Sequence, residues 1–340
     1  MMRRIWLRSP VRHRSGPVVL LYHRVTVLDR DPQHLTVSPT RFSQHMAILA
    51  RTRCPLPLSE FVRRWHDRSL TDSAAAVTFD DGYADNLHEA LPILKRFEVP
   101  ATVFVCPPSP RLTGEFFWDD LDRILLGPRS LPERIDLAPA GPAMCIDLGT
   151  TAAPAATDAW GVDDATTPSS RHRAYRNLCR MLRSMPSPHR ERLLVHLAEA
   201  SGVGSGCRPS HRRLTPDELS FMATHPLVTI GAHTVTHPRL ASLPASDQAD
   251  EIADSCRIIE AIAGKRVECF SYPFGGPADY GAEAIAAVRN AGCRFATANV
   301  DAPMTRWRSP WELPRRLVRN VDGPDFSRLL GEPHAMDAAT

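Results

Sequence analysis

Two short segments carry the residue types that could do chemistry. Thr78-Phe79-Asp80-Asp81-Gly82-Tyr83 ends an apolar run with adjacent carboxylates, and His233-Thr234-Val235-Thr236-His237-Pro238 holds two imidazoles four positions apart. Two imidazoles and one carboxylate form a ligand set for a divalent metal, and the second carboxylate is left over. A bound metal polarises a carbonyl and lowers the pKa of water, but a base must still stand beside it to take the proton. The pattern therefore points to a metal-dependent hydrolase. Neither segment suffices alone, because Asp-Asp-Gly is also a common turn and His-x-x-x-His arises on helix surfaces. Pro238 and the β-branched Thr234, Val235 and Thr236 argue that the histidines do not sit inside a helix.

The elements needed to position these groups can be read from the apolar patterning. Val18–Tyr22, Ala74–Phe79 and Ala101–Val105 are compact apolar runs suited to buried strands, with a helix opened by Ser38-Pro39 and another over 86–97 between them. Strand, helix and strand in that order indicate parallel βα units, in which functional groups collect at the carboxyl ends of strands. Asp80 and Asp81 follow one such end. His233 follows a strand near 227–230, and Tyr272-Pro273-Phe274-Gly275 ends another near 267–272. A long helix from Ser246 to about Ala263 and a strand near 294–298 continue the alternation. Between about 107 and 210 the alternation stops. That stretch holds a short helix at Trp118-Asp119-Asp120, a Pro/Ala/Thr-rich segment from Leu137 to Ser170 that reads as an extended loop, and two amphipathic helices near 171–185 and 188–201. The architecture expected is α/β, one βα barrel or sheet interrupted by a large insertion. A basic tail (1–16) precedes the domain (17–325), and a second tail (326–340) follows it.

The 340 residues carry a net charge of only +3, so nothing calls for a nucleic-acid partner. Eight cysteines are scattered with no CxxC pair, which suggests free thiols in a reducing compartment. The apolar run Pro17–Tyr22 is too short for a signal-peptide core, so a cytoplasmic protein is expected. The five arginines of the basic tail suit contact with an anionic membrane surface or a solvated tail. The sequence does not specify an oligomeric state.

Together the motifs resemble the polysaccharide deacetylase family, also known as the NodB-homology or carbohydrate esterase family 4 domain. The resemblance rests on residues 78–83, on Gly231–Pro238 and on Phe270-Ser271-Tyr272-Pro273-Phe274-Gly275, supported by Val99–Val105 and Leu313-Pro314-Arg315. It covers about 17–106 and 213–320. It implies a distorted (β/α) barrel that removes acyl groups, usually acetyl, from a carbohydrate or glycolipid. It further implies Asp80 as general base and Asp81, His233 and His237 as ligands of a divalent metal, with Zn2+ the best match to those donors. The backbone N–H of Phe274 would face the oxyanion, and Tyr272, Pro273 and Tyr83 would line the substrate site.

Two positions depart from the family pattern. The third motif usually begins with an arginine that orients the base, where this chain has Ser271. The histidine that usually acts as general acid is missing from Leu313–Leu317. In a subgroup the acid is a histidine on the first strand, and Tyr22-His23 matches it, which makes His23 the candidate acid. Arg24, Arg294, Arg315 and Arg316 are candidates for the missing orienting group. Trp118, Trp307 and Trp311 could stack on sugar rings or simply pack. The same site could also serve a deformylase or another amide hydrolase, and a homologue with a decayed site would be a carbohydrate-binding protein.

Overall fold

In the computed structural model, residues 16–110, 114–128, 130–150, 159–204, 206–304 and 309–331 are described. The apolar runs form short parallel strands: β1 (Val18–Tyr22), β2 (Ala74–Phe79), β3 (Ala101–Val105), β4 (Val228–Ala232), β5 (Cys269–Ser271), β6 (Phe295–Thr297) and β7 (Arg316–Leu317). Their order in the sheet is β6-β5-β4-β3-β2-β1-β7. The segment leading into β7 also reaches back to β6. Leu313 donates its N–H to the Ala296 carbonyl (2.9 Å) and accepts from Ala298 (2.9 Å), while Leu20 and Leu21 pair with Arg316 and Leu317. The curled parallel sheet thus meets itself through residues 313–317, giving the distorted (β/α) barrel expected from the sequence.

Strands covered on both faces read as continuous apolar runs, and alternate residues go to two cores. Val18, Leu20 and Tyr22 belong to an outer core with Phe42 and Met46 of α1 (Pro39–Thr52) and with α7 (Pro216–Thr224), α8 (Ala245–Ala263) and α9 (Ala282–Asn290). Val19, Ala76, Phe104, Cys269, Phe295 and Leu313 make an inner cluster, joined at one end by Leu58 and Phe61 of α2 (Leu58–His66). Phe104 fills the middle of this cluster. A Cβ added at Gly231 would lie 2.4 Å from its ring, so β4 carries glycine where the phenylalanine lies against it.

The insertion folds as a unit seated beside the β2–β3 turn and the loop after β5. It contains α4 (Phe117–Leu121), an antiparallel pair of Arg134–Asp136 with Cys145–Asp147, α5 (Ser170–Arg183) and α6 (Ser187–Ala200). Its core (Phe116, Trp118, Leu125, Tyr175, Leu178, Leu182, Leu193 and neighbours) includes Tyr83 from the barrel and packs against Phe274. Arg208 ties its two ends, bonding Glu115 (2.7 Å) and Asp122 (2.7 Å).

The boundaries drawn from sequence need two corrections. The Pro/Ala/Thr-rich stretch contributes a paired strand at 145–147 and the buried Trp160, whose ring meets His172 and Tyr175, because these apolar residues have α5 to pack against. Residues 151–158 and the tail 1–15 lie outside the described residues. The domain also runs past 325 into α10 (Gly323–Leu330), which buries Phe326 and Leu330 completely or nearly so. Among the described residues no helix is long and apolar enough to cross a membrane.

Phe326 lies parallel to the imidazole of His45, 4.1 Å away. That ring is buried, with Nε2 2.9 Å from the Val321 carbonyl and Nδ1 3.3 Å from the Tyr22 hydroxyl. A carbonyl only accepts, so Nε2 carries the proton of a neutral imidazole whose Nδ1 accepts from Tyr22. Burial pushes the His45 pKa from 6.5 down to about 4. Above the unfolded value the group contributes no pH dependence. As pH falls from 6.5 toward 4 the unfolded chain takes up a proton that the folded chain refuses, so stability falls across that window and levels off below it. Urea unfolding at pH 7.5 and 5.0 should show a His45-dependent loss of about 2 kcal/mol, and His45→Phe should flatten that part of the profile.

Candidate active site

The adjacent carboxylates are sent to different tasks by the turn after β2. Asp80 continues the strand and donates its N–H to the Tyr22 carbonyl (3.0 Å). Asp81 (φ 76°) and Gly82 (φ 77°) then occupy the left-handed region in succession. A Cβ at Gly82 would sit 2.8 Å from the Val105 side chain, so both the backbone conformation and the close approach require glycine.

Asp80 points toward β5 and β7. Arg315 grips it with two parallel bonds, Nη1 to Oδ1 at 2.7 Å and Nη2 to Oδ2 at 2.6 Å, and Ser271 donates its hydroxyl to Oδ2 at 3.1 Å. Arg315 is 1% exposed, also bonds Thr78, Ser271 and the Ala298 carbonyl, and its Cζ lies 5.6 Å from the Phe104 ring. The orienting arginine missing from position 271 is thus supplied from the segment that closes the barrel, and the serine that replaces it joins the same network. The other candidates are engaged elsewhere: Arg24 with Asp85, Arg294 with Glu268, Arg316 with Asp301. Burial alone would raise the Asp80 pKa, but the Arg315 guanidinium, with His233 and His23, holds it below the usual carboxylate range.

Asp81 faces the histidines, with Oδ1 3.5 Å from His233 Nε2 and 3.4 Å from His237 Nε2. These three residues offer ligand atoms within 4.8 Å of one another, all buried. His233 Nδ1 lies 2.7 Å from the Ser271 carbonyl and must donate to it, which leaves a lone pair on Nε2 directed at a carboxylate. Two electron-rich groups facing each other in a buried site call for a cation between them, and a fixed outer hydrogen bond of this kind is what metal-ligating histidines use. The donor set fits a divalent metal. Burial would lower the His233 pKa, but Asp80 and Asp81 raise it, while burial pushes His237 down to about 4.

The loop carrying the histidines is conformationally demanding. Thr234 (φ 63°) and His237 (φ 53°) join Asp81 and Phe274 (φ 62°), so four of the seven described non-glycine residues at positive φ are in this site. Such conformations cost on the order of 1–3 kcal/mol each and persist only where the surroundings over-determine them. Here Thr234 Oγ1 accepts the His237 N–H (3.1 Å), and Glu251 of α8 accepts the N–H groups of Val235 (2.9 Å) and Thr236 (2.8 Å) and the Thr236 hydroxyl (2.9 Å). Neither Glu251 nor its function was visible in the sequence, since a buried acid on a helix gives no sign of which distant loop it holds.

The remaining residues divide. His23, at the end of β1, has its Nδ1 buried without a hydrogen-bond partner. Burial pulls its pKa down while Asp81 and Asp80 oppose the shift. Phe274 lies with its ring 4.7 Å from that of His237, and its N–H has no acceptor among the described residues. Pro273 accepts the Gly275 N–H (2.7 Å) and shapes that turn. The ring of Tyr272 packs in the outer core on Tyr280 (4.0 Å). Tyr83 does not offer its hydroxyl to a ligand as the resemblance implied. It donates to Asp119 (2.6 Å) and accepts from Trp118 (2.9 Å), because the insertion buries it. Trp118 stacks on Phe116 and meets the His237 ring at 5.0 Å, a packing role. Trp311 lies under Arg289, and Trp307 lies outside the described residues.

Removing one partner of a buried ion pair strands the other charge. Arg315→Met should therefore lower the unfolding free energy by about 3–5 kcal/mol, and adding Asp80→Asn should recover part of it, as read by denaturant titration of both variants.

With this geometry in place, comparison with known proteins is direct. The sequence model described as polysaccharide deacetylase matches residues 67–124 and 195–296, skipping most of the insertion. YxkH of Bacillus subtilis, named for the same family, is 31% identical over 91 residues. That match spans 26% of this chain and 30% of the relative, less than a third of either. The Streptococcus pyogenes deacetylase PplD, solved in complex with acetate, superposes with a TM-score of 0.56 at 16% identity, covering 94% of this chain and 99% of that one. A de-N-acetylase from Aggregatibacter actinomycetemcomitans gives 0.52 at 15%, covering 92% and 99%. The structural likenesses show a shared fold, and the family model matches both motif-bearing segments, so the chain is similar to the polysaccharide deacetylase family in sequence and in fold.

Proposed function

We propose that this protein is a metal-dependent hydrolase that removes an N-acetyl or similar acyl group from an amino sugar of a polysaccharide, glycolipid or sugar precursor. The observation that carries the proposal is the division of labour between adjacent carboxylates. Asp80 is held ionised by Arg315 and apart from the ligand set, whereas Asp81 faces two imidazole nitrogens. A purely structural Asp-Asp-Gly turn would require neither arrangement. The likeness to a de-N-acetylase fold favours an amide over an ester as the bond broken.

Asp81, His233 and His237 would hold the metal, Zn2+ suiting these donors best, and the ion would polarise the acyl carbonyl and acidify water. Asp80 takes the proton of the attacking water. Its orientation is set by the two Arg315 bonds, and no other protein cation needs to move for it to act. The Phe274 N–H, with no acceptor among the described residues, is available to the oxygen on which negative charge develops. In this reading His23, whose buried Nδ1 has no hydrogen-bond partner, returns a proton to the leaving amine. Burial keeps it neutral at rest, and negative charge developing beside it raises its basicity, so that the proton Asp80 takes from water passes by way of His23 to the leaving amine.

Two variants test these roles. Asp80→Asn should retain metal and lose about 10²–10⁴-fold in acyl release, since only a proton acceptor is removed. His233→Ala/His237→Ala should lose the metal itself, measured by elemental analysis of purified protein. Full turnover by Asp80→Asn would remove Asp80 as the base.

A further inference from the structure

The insertion has a core of its own, yet two of its arginines leave that core to hold the loops of the site. Arg190 of α6 is 2% exposed and donates through Nη2 to the Thr236 carbonyl (2.5 Å). From the other side Glu251 takes the Thr236 N–H and hydroxyl. Every polar group of Thr236 is therefore bound, between two residues in the left-handed region, one of which is the ligand candidate His237. Arg183, the last residue of α5, lies 4.1 Å over the Phe274 ring and bonds Asp279 Oδ2 (2.7 Å). The same carboxylate accepts the Gly276 N–H (2.9 Å) and pairs with Arg239 (3.2 Å). The loop that presents the Phe274 N–H is thus tied to the insertion by a guanidinium on its ring and an ion pair just beyond it.

We infer that the insertion is a working part of the active site: Arg190 is a positioning residue for the metal ligand His237, and Arg183 is a positioning residue for the Phe274 backbone. On the barrel side the histidine loop is held by Glu251 and by the Val105 carbonyl on the His233 N–H (3.0 Å), and the Phe274 loop by the Asn299 N–H on the Gly275 carbonyl (2.9 Å). A backbone at positive φ persists only where its surroundings over-determine it, and each arginine adds a contact from the insertion. The consequences for turnover rest on the hydrolase proposed above, whereas the clamping of the loops does not.

The test uses the full chain with Arg190→Met, Arg190→Lys and Arg183→Met. Three quantities are read: Zn2+ affinity by competition with a chromophoric chelator, hydrogen–deuterium exchange in 233–237 and 272–276, and steady-state acyl release. Arg190→Met should weaken Zn2+ binding by about 10–100-fold and speed exchange in 233–237, with Arg190→Lys restoring much of both. Arg183→Met should leave Zn2+ affinity unchanged, speed exchange in 272–276 and lower kcat rather than raise KM. Wild-type exchange in both loops of the Met variants would overturn the inference. Should Arg190→Met fail to fold, Arg190→Lys and Arg183→Met decide by the same readouts. A wild-type protein that binds no Zn2+ and releases no acyl group would sink the hydrolase reading, while the exchange data still decide whether the arginines hold the loops.

Discussion

A carboxylate buried at the end of an apolar barrel can stay ionised only if a counter-charge is buried with it, and in this protein that charge is Arg315. Its position explains much of the architecture around it. The guanidinium lies against Phe104, the ring that fills the barrel, and reaches Asp80 with both outer nitrogens. It can do so because residues 313–317 run between β6 and β1 and close the sheet. Closing the barrel and holding Asp80 ionised are thus one structural event, and Thr78 and Ser271 complete the hydrogen bonding that a buried guanidinium requires.

Above this pair the site is built from backbone that would not adopt its conformation unaided. The turn at Asp81-Gly82 separates the two carboxylates, and the turn from Thr234 to His237 brings two imidazoles to one oxygen. The histidine turn is sustained by Glu251 and Arg190 on Thr236 and, within the turn, by the Thr234 hydroxyl on the His237 N–H, while Arg183 lies over the Phe274 ring. Helices around the barrel thus add to what the strands supply, where the Val105 and Ser271 carbonyls bond His233. The insertion supplies two of these contacts. It also buries Trp118 and Tyr83, the second of which the family resemblance would put at the substrate site.

The sequence by itself determined the βα pattern, the identity of the two motifs and their location at strand ends. Those features are local, since apolar runs, turn residues and motif spacing are written in neighbouring positions. Even the candidate acid His23 is legible in this way, as a histidine ending a buried strand. Tertiary structure decided which of four arginines meets Asp80, because the choice depends on strand order and not on any property of the arginine. It also decided that Glu251, Arg183 and Arg190 hold the loops, through contacts as far as 91 positions apart between Arg183 and Phe274. Only packing reveals such pairings, for a buried charge takes as partner whatever the closed fold brings within hydrogen-bonding reach, and the distance between the two along the chain carries no trace of that choice.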